Sequence, residues 1–268
     1  MLALLRTRHY ISRKTTIFLG ALSIASLILL YLGFAQYRHA LNPKDQLTPT
    51  VGQIFQALKS ATTPDEFTGV VPLWADILSS LRLLGIGFGL SIAVALVVGL
   101  HAGAWPWLNA LIDPLMKIFS YIPTITLLFI IFITLGYEDK AKIFIIFVAT
   151  VVPLIRSLTL RVQAVTDKHV WKAETLGASH LEIIWIILRK LTEPGFLDDI
   201  RLQLGNAWVY LIVAELIASE QGLGYRINLA SRNMNVSMIL VYLIVVTTLA
   251  FAADRFIWSV NSWRNRWA

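Results

Sequence analysis

A chain of 268 residues that is 57% hydrophobic and only 15% charged, with mean hydropathy +0.68, is too apolar for an ordinary soluble domain; such domains run at about 45–50% apolar and about 25% charged. Its complete lack of cysteine excludes disulfide scaffolds, thiolate metal sites and cysteine nucleophiles. The net charge of +7 is carried beside apolar runs, so it reports membrane topology and gives no sign of nucleic-acid binding.

The apolar residues fall in blocks. Ile17 to Ala35 is uncharged and long enough to span a bilayer. Its length exceeds a signal-peptide core and no clear cleavage site follows, which predicts an uncleaved first span. Gln36 to Asp76 is polar and punctuated by Pro43, Pro49, Pro64 and Pro72, with a short interfacial helix predicted over Val51 to Ser60. Leu83 to Leu100 is the second span, and its Gly85, Gly87, Gly89 and Gly99 suit close helix approach. A turn over His101 to Lys117 leads to the third span, Ile118 to Leu135, opened by Pro123. Another turn, Gly136 to Lys142, precedes the fourth, Ile143 to Leu160, which contains Pro153 and Arg156. Leu202 to Ser219 is the fifth span and Val236 to Ala253 the sixth. The expected organisation is residues 1–76 as a first span with an extracytoplasmic loop, followed by a five-helix core over 77–268.

Lys and Arg orient these spans. With both termini inside, inner segments hold fifteen of the 23, among them Arg6, Arg8, Arg13, Lys14, Lys168, Lys172, Arg189, Lys190, Arg255, Arg264 and Arg266. The expected location is a bacterial inner membrane, crossed several times with both ends cytoplasmic.

No catalytic constellation is visible. The five histidines, His9, His39, His101, His169 and His180, fall at span ends or in loops, and none has metal-ligand spacing. A phosphate-cradling G-x-x-x-x-G-K-[ST] run is missing, so neither a metal site nor a cofactor site is expected in this chain. Arg82 and Asp254 lie at span ends, where snorkelling accounts for them. Glu215 is the ionisable group placed deepest in a predicted span. An intramembrane carboxylate is a candidate for the translocation path or for ion coupling, and the alternative is a structural pairing or an early end to the span.

The longest charged interruption of the second half is Trp171 to Gly195. Val170 to Leu176 is built from good helix formers, and Gly177, Ala178 and Ser179 break them. A second helix then carries Leu181, Ile184, Trp185 and Leu188 at i, i+3, i+4 and i+7, which predicts an apolar stripe. The result is a cytoplasmic helix-turn-helix hairpin that another protein could grip.

That hairpin resembles the EAA loop of ABC-transporter permease subunits, whose pattern is Glu-Ala-Ala, three residues, Gly, nine residues, then Ile-x-Leu-Pro. Ala173, Gly177 and Ile187 hold the pattern; Trp171 stands at the Glu position, Lys172 at the first Ala and Arg189-Lys190 at Leu-Pro, with Pro194 matching a further downstream proline. L-T-P-T-V-G-Q-I-F-Q-A-L, S-S-L-R-L-L-G-I-G-F at Ser79 to Phe88, D-P-L-M-K-I-F-S-Y-I-P at Asp113 to Pro123, I-R-L-Q-L-G-N-A-W, A-E-L-I-A-S and G-L-G-Y, ending at Tyr225, resemble permeases of the nitrate, sulfonate, taurine and bicarbonate group in order and spacing.

The resemblance implies an all-α membrane protein of about six transmembrane helices with the MetI-like permease fold and a coupling loop at 165–195. It implies no enzyme. The expected role is the permease subunit of an ATP-driven importer that moves a small oxyanion or sulfonate by alternating access. Trp171, Lys172, Ala173, Glu174, Thr175, Leu176, Gly177, Ala178 and Ser179 are the implied ATPase contacts. The implied partners are ABC ATPase subunits, which would bind the ATP and Mg, a second permease copy as a homodimer, and an extracytoplasmic substrate-binding protein. Two other classes stay open at this point. One is a stand-alone carrier or channel coupled through Glu215, for which more intramembrane charge and repeats would be expected; the other is a membrane enzyme.

Overall fold

A computed structural model describes residues 12–42, 47–65 and 69–267. Arg6, Arg8, His9 and Pro43, used above for orientation and loop structure, lie outside the described residues. The described residues form helices α1 (Arg13–Leu41), α2 (Val51–Thr62), α3 (Pro72–Ala104), α4 (Pro106–Tyr121), α5 (Thr124–Leu135), α6 (Asp139–Gln163), α7 (Asp167–Thr175), α8 (His180–Glu182), α9 (Arg189–Ala218), α10 (Leu223–Arg232) and α11 (Val236–Arg264). A π-helical turn, Ile183–Leu188, joins α8 to α9 so that His180–Ala218 runs as one rod.

Five helices are long and apolar enough to cross a membrane, and α4 with α5 makes a sixth, broken span bent by 94°. The break falls at Ile122 and Pro123. Proline lacks the N–H that would continue the ladder and restricts the residue before it, so the helix stops at Tyr121 and restarts at Thr124. The sequence expectation of a plain turn over 101–117 is therefore corrected. Pro106 sits at a first helical position, where a missing N–H costs nothing, and starts α4 directly after Trp105.

Other boundaries also move outward. Pro72 starts α3 eleven residues before the uncharged run at Leu83, so Asp76, taken as the end of the first segment, lies inside α3. Asp139 starts α6 inside the expected turn Gly136 to Lys142, just after Gly136 ends α5 with φ of 77°. The interfacial helix is present as α2, opened by a capping box in which Thr50 and Gln53 satisfy each other's backbone N–H groups. It packs on α11 through a face holding Ala57 and Ala61. α1 lies at the periphery with its apolar side chains exposed, tied down where Tyr31 Oη donates to the Pro49 carbonyl at 2.9 Å.

The core is the α3–α6 pair, flanked by α9. Every fourth residue of α3 from Gly87 to Gly103 is small: Gly87, Ser91, Ala95, Gly99 and Gly103. This stripe lets two backbones approach closely inside a membrane, where apolar burial alone gives little drive for association. Ser91 Oγ donates to the Phe147 carbonyl at 3.1 Å and accepts from Thr150 Oγ1 at 2.7 Å across the same seam. Of the four glycines expected to pack, only Gly87 and Gly99 do so, since a side chain at Gly85 or Gly89 would meet nothing within 4 Å.

A Cβ placed on Gly103 would lie 2.5 Å from Val162 Cβ and 3.0 Å from the Thr159 carbonyl. Gly103→Ala must push α6 away and is expected to destabilise by about 1–3 kcal/mol. Gly85→Ala is expected to be neutral or slightly stabilising, because it removes a helix glycine without a contact. Thermal unfolding of the two variants in detergent tests the contrast, and equal midpoints would contradict this packing.

Candidate functional site

The four long core helices place two clusters at opposite ends. At one end sit the start of α3, the start of α6, the end of α9, all of α10 and the start of α11. The α7–α8 hairpin and the bases of α9 and α11 sit at the other.

The hairpin is built by backbone chemistry that its sequence spells out. Gly177 adopts φ of 82°, which an L side chain strains to reach. Ala178 N–H donates to the Ala173 carbonyl at 3.0 Å and Gly177 N–H to Glu174 at 2.9 Å, the paired bonds of a Schellman stop. Ser179 then caps the next helix and exchanges bonds with Glu182 in a capping box. Stop and start thus follow each other within a few residues.

Of the expected contact residues, Ala173 is buried, Ala178 is half-buried, and Trp171, Lys172, Glu174, Thr175, Leu176, Gly177 and Ser179 are exposed. Leu176, at the end of α7, is 88% exposed and Trp171, in its middle, 62%. The predicted stripe of Leu181, Ile184, Trp185 and Leu188 is corrected. Leu181 is exposed, and Ile183, Ile184 and Leu188 are buried. The π-helical turn adds a residue to the repeat, so the 3.6 period fails there. Trp185 still faces the core-helix end, its ring 5.7 Å from His101.

Three carboxylates tie the spans to one another at the end that carries the hairpin. Arg161 binds Asp199 through both Nε (2.5 Å) and a terminal nitrogen (2.7 Å), joining α6 to α9. Gly195 leaves the room for this guanidinium, which a Cβ there would overlap. Arg201 binds Asp254 in the same two-pronged way at 2.7 and 3.0 Å, joining α9 to α11, so Asp254 is a partner and not a snorkelling end group. Arg264 Nε lies 2.5 Å from Glu193. Lys190 donates to Asn265 at 3.1 Å, with the Trp267 ring 5.5 Å away.

The opposite cluster contains Glu215, fully buried as expected from its place in a span. Its surroundings were not foreseen. Glu215 accepts from Ser80 Oγ at 2.6 Å and from Gly224 N–H at 2.8 Å. Ser80 Oγ also accepts from Leu223 N–H at 2.9 Å, and Asp76 accepts from Gly222 N–H at 3.0 Å. Asp76 further accepts from Arg226 Nε at 2.9 Å and Tyr242 Oη at 2.8 Å. The N–H groups of Gly222, the residue just before α10, and of Leu223 and Gly224, its first two, are therefore each capped by a side chain from α3 or α9. Helix N-termini carry such orphan donors and favour negative charge, and two carboxylates supply it. Gly222 and Gly224 allow the approach, since a Cβ on Gly222 would lie 2.5 Å from Glu215 Oε1.

The sequence reading did not foresee α10, which lies between the fifth and sixth spans, and it did not single out Asp76, Ser80, Arg226 or Tyr242. Pro72 at a first helical turn and the G-L-G-Y run were the usable signals.

The pattern of binding-protein-dependent transport system inner membrane components matches residues 85–262, about two thirds of the chain. The chain belongs to this family. Similar proteins include the taurine transport system permease protein TauC of Escherichia coli, 25% identical over 250 residues that cover 93% of this chain and 89% of TauC. A probable ABC transporter permease protein of Brucella melitensis is 31% identical over 195 residues, 73% of this chain and 79% of the relative. The nitrate import permease protein NrtB of Synechocystis is 25% identical over 185 residues, 69% of this chain and 67% of NrtB. Among solved structures, an inward-facing form of the MetNI methionine ABC transporter has the same fold, with a TM-score of 0.59 at 17% identity over 70% of this chain and 95% of that one.

This binding-protein-dependent permease is thus a multi-pass inner membrane protein with the all-α importer fold, and it is the permease subunit of an ATP-driven importer. The stand-alone carrier or channel reading is not favoured. The family is one of transport permeases and not of enzymes, and its members are components of ABC import systems.

Proposed function

We propose that two copies of this chain form the membrane core of an importer for a small oxyanion or sulfonate. Each copy docks an ABC ATPase subunit on α7 and the Gly177 turn, and an extracytoplasmic binding protein delivers the solute at the α10 end. The hairpin, with Lys168, Lys172, Arg189 and Lys190 around it, faces the cytoplasm together with both termini, as the excess of Lys and Arg favours. ATP and Mg bind the ATPase subunits. Their closure pulls on α6 and α9, which the hairpin connects, and biases the spans between inward-open and outward-open states.

The observation that carries this reading is the hairpin itself. It exposes Trp171 and Leu176, is shaped by a Schellman stop and a capping box, and joins spans that are tied to one another by Arg161–Asp199 and Arg201–Asp254. Rim contacts alone would not need so firm a mounting, whereas a transmitted displacement does. The anionic solute class is supported by the relatives, TauC being named for taurine and NrtB for nitrate.

The test is uptake of taurine, nitrate and bicarbonate by proteoliposomes holding the chain with its ATPase and binding protein. The expected result is uptake of one of them that requires both ATP and the binding protein. Uptake that persists without ATP, or a complex that carries none of the three, contradicts the proposal.

A further inference from the structure

Arg161, Arg201, Arg226 and Arg264 each hold a carboxylate. Four described arginines within spanning helices, Arg82, Arg156, Arg189 and Arg255, have no such ion pair, and Arg255 lies over the Trp258 ring at 4.3 Å. Arg82 and Arg156 are the two candidates among them for anion sites. Arg82 on α3 and Arg156 on α6 are exposed and make no ion pair or hydrogen bond with any described residue. Arg82 lies ten residues inside α3, about 15 Å from its outer end, and Arg156 about 10 Å from the inner end of α6, at 1.5 Å per residue. Arg156 lies within the apolar run Ile143 to Leu160 and Arg82 at the edge of the run that starts at Leu83, and an ionisable side chain inside a span is a functional candidate by default.

Each arginine opens onto a cavity. The outer cavity, about 1180 Å³, is lined by Arg82, Ser79, Tyr137 and Lys142 among others. Its other lining charges are Lys142 and Asp139, paired at 3.0 Å, Glu138, which lies 3.7 Å from Lys140, and Glu220. The inner cavity, about 290 Å³, is lined by Arg156, Lys117 and Asp113, and the last two are paired with each other. Between them a cavity of about 130 Å³ lies at the α4–α5 break, against Ala149 and Pro153. Lys142, Ala149, Pro153 and Arg156 follow one another at seven, four and three residues, which is one face of a helix. The three cavities thus lie along a single stripe of α6, with an unpaired guanidinium at each end.

We propose that this stripe is the route of the anion, with Arg82 as its outer and Arg156 as its inner docking charge and the Ile122–Pro123 break as the barrier between them. The inference rests on the anion-import reading above and adds to it the residues that meet the solute. A guanidinium offers a planar fork of donors matched to a carboxylate, nitrate or sulfonate edge. Placed at both mouths it attracts an anion, and the carboxylates that share the cavities, Glu138, Asp139 and Glu220 outside and Asp113 inside, oppose permanent holding, as conduction requires.

The experiment measures uptake of taurine, nitrate and bicarbonate in the complete complex, normalised to permease that co-elutes with the ATPase. Arg82→Gln and Arg156→Gln are each expected to lower uptake of the carried anion at least tenfold. Arg82→Lys and Arg156→Lys keep the charge without the planar fork and are expected to fall between the glutamine variants and the parent. Lys59→Gln, on the exposed face of α2, is expected to match the parent. An unmodified complex that carries an anion while both glutamine variants match it overturns the route and leaves anion import standing. Lysine variants as poor as the glutamine ones overturn the electrostatic role. An unmodified complex that carries none of the three overturns both readings.

Discussion

Asp76→Ala is expected to be the most damaging single substitution outside the packing seam. It strips three donors, Gly222 N–H, Arg226 Nε and Tyr242 Oη, of one fully buried acceptor. Removing one member of a buried pair costs about 3–5 kcal/mol. The Arg226 side chain keeps 29% of its exposure, so solvent recovers part of that and about 3 kcal/mol is the better figure. On the scale of chains this size, that lowers the unfolding midpoint by about 6–12 °C. Glu215→Gln is milder, about 1–3 kcal/mol, because its amide nitrogen must face either the Gly224 N–H or the Ser80 hydroxyl, and neither arrangement satisfies every group. Transport by the glutamine variant should then fall in step with folded protein. The measurement is thermal unfolding in detergent beside uptake in vesicles. An Asp76→Ala protein with the parent's midpoint would show that α10 is held by something else.

Trp171→Ala is expected to do the opposite, leaving stability within about 0.5 kcal/mol because the side chain is largely exposed, while uncoupling the ATPase. An aromatic anchor at an interface centre is worth about 2 kcal/mol or more, roughly a 30-fold weakening of docking. Gly177 provides the companion test. A Cβ there meets nothing within 4 Å, so any effect comes through the backbone. Gly177→Val faces about 1–2 kcal/mol of strain at positive φ and should open the turn. Gly177→Asn, which tolerates that conformation at a helix stop, should keep most of the coupling. Substrate-stimulated ATP hydrolysis in the reconstituted complex reads all three. Parental stimulation in both Trp171→Ala and Gly177→Val would remove the hairpin from the coupling path.

The spans were legible because a bilayer demands about 20 apolar residues in a row, and few other structures supply them. Their ends were not legible, since α3 and α6 extend past the apolar run into polar turns that Asp76 and Asp139 occupy. α4 hid behind Pro106 and Pro114, which mark a helix start and a tolerated interior proline as easily as a turn. The hairpin could be read because its stop and start signals are local, a glycine and a serine with Glu182 three residues on. The cluster around α10 could not, because Ser80 meets Glu215 across 135 residues and Asp76 meets Tyr242 across 166. A carboxylate inside an apolar run announces that it has a partner without saying which one.

The π-helical turn at Ile183–Leu188 sets how motion can pass from the hairpin into α9. Such a turn is one residue slipped into an α-helical rod, and a residue of helix corresponds to about 100° of rotation. Ile183, Ile184 and Leu188 are buried in this register. Expelling the extra residue would turn α7 and α8 about the axis of α9 by more than a quarter circle and lift two isoleucines out of the core. No small fraction of that rotation keeps the side chains packed. The joint therefore behaves as a ratchet tooth, rigid against gentle torque and able to move only by a whole click.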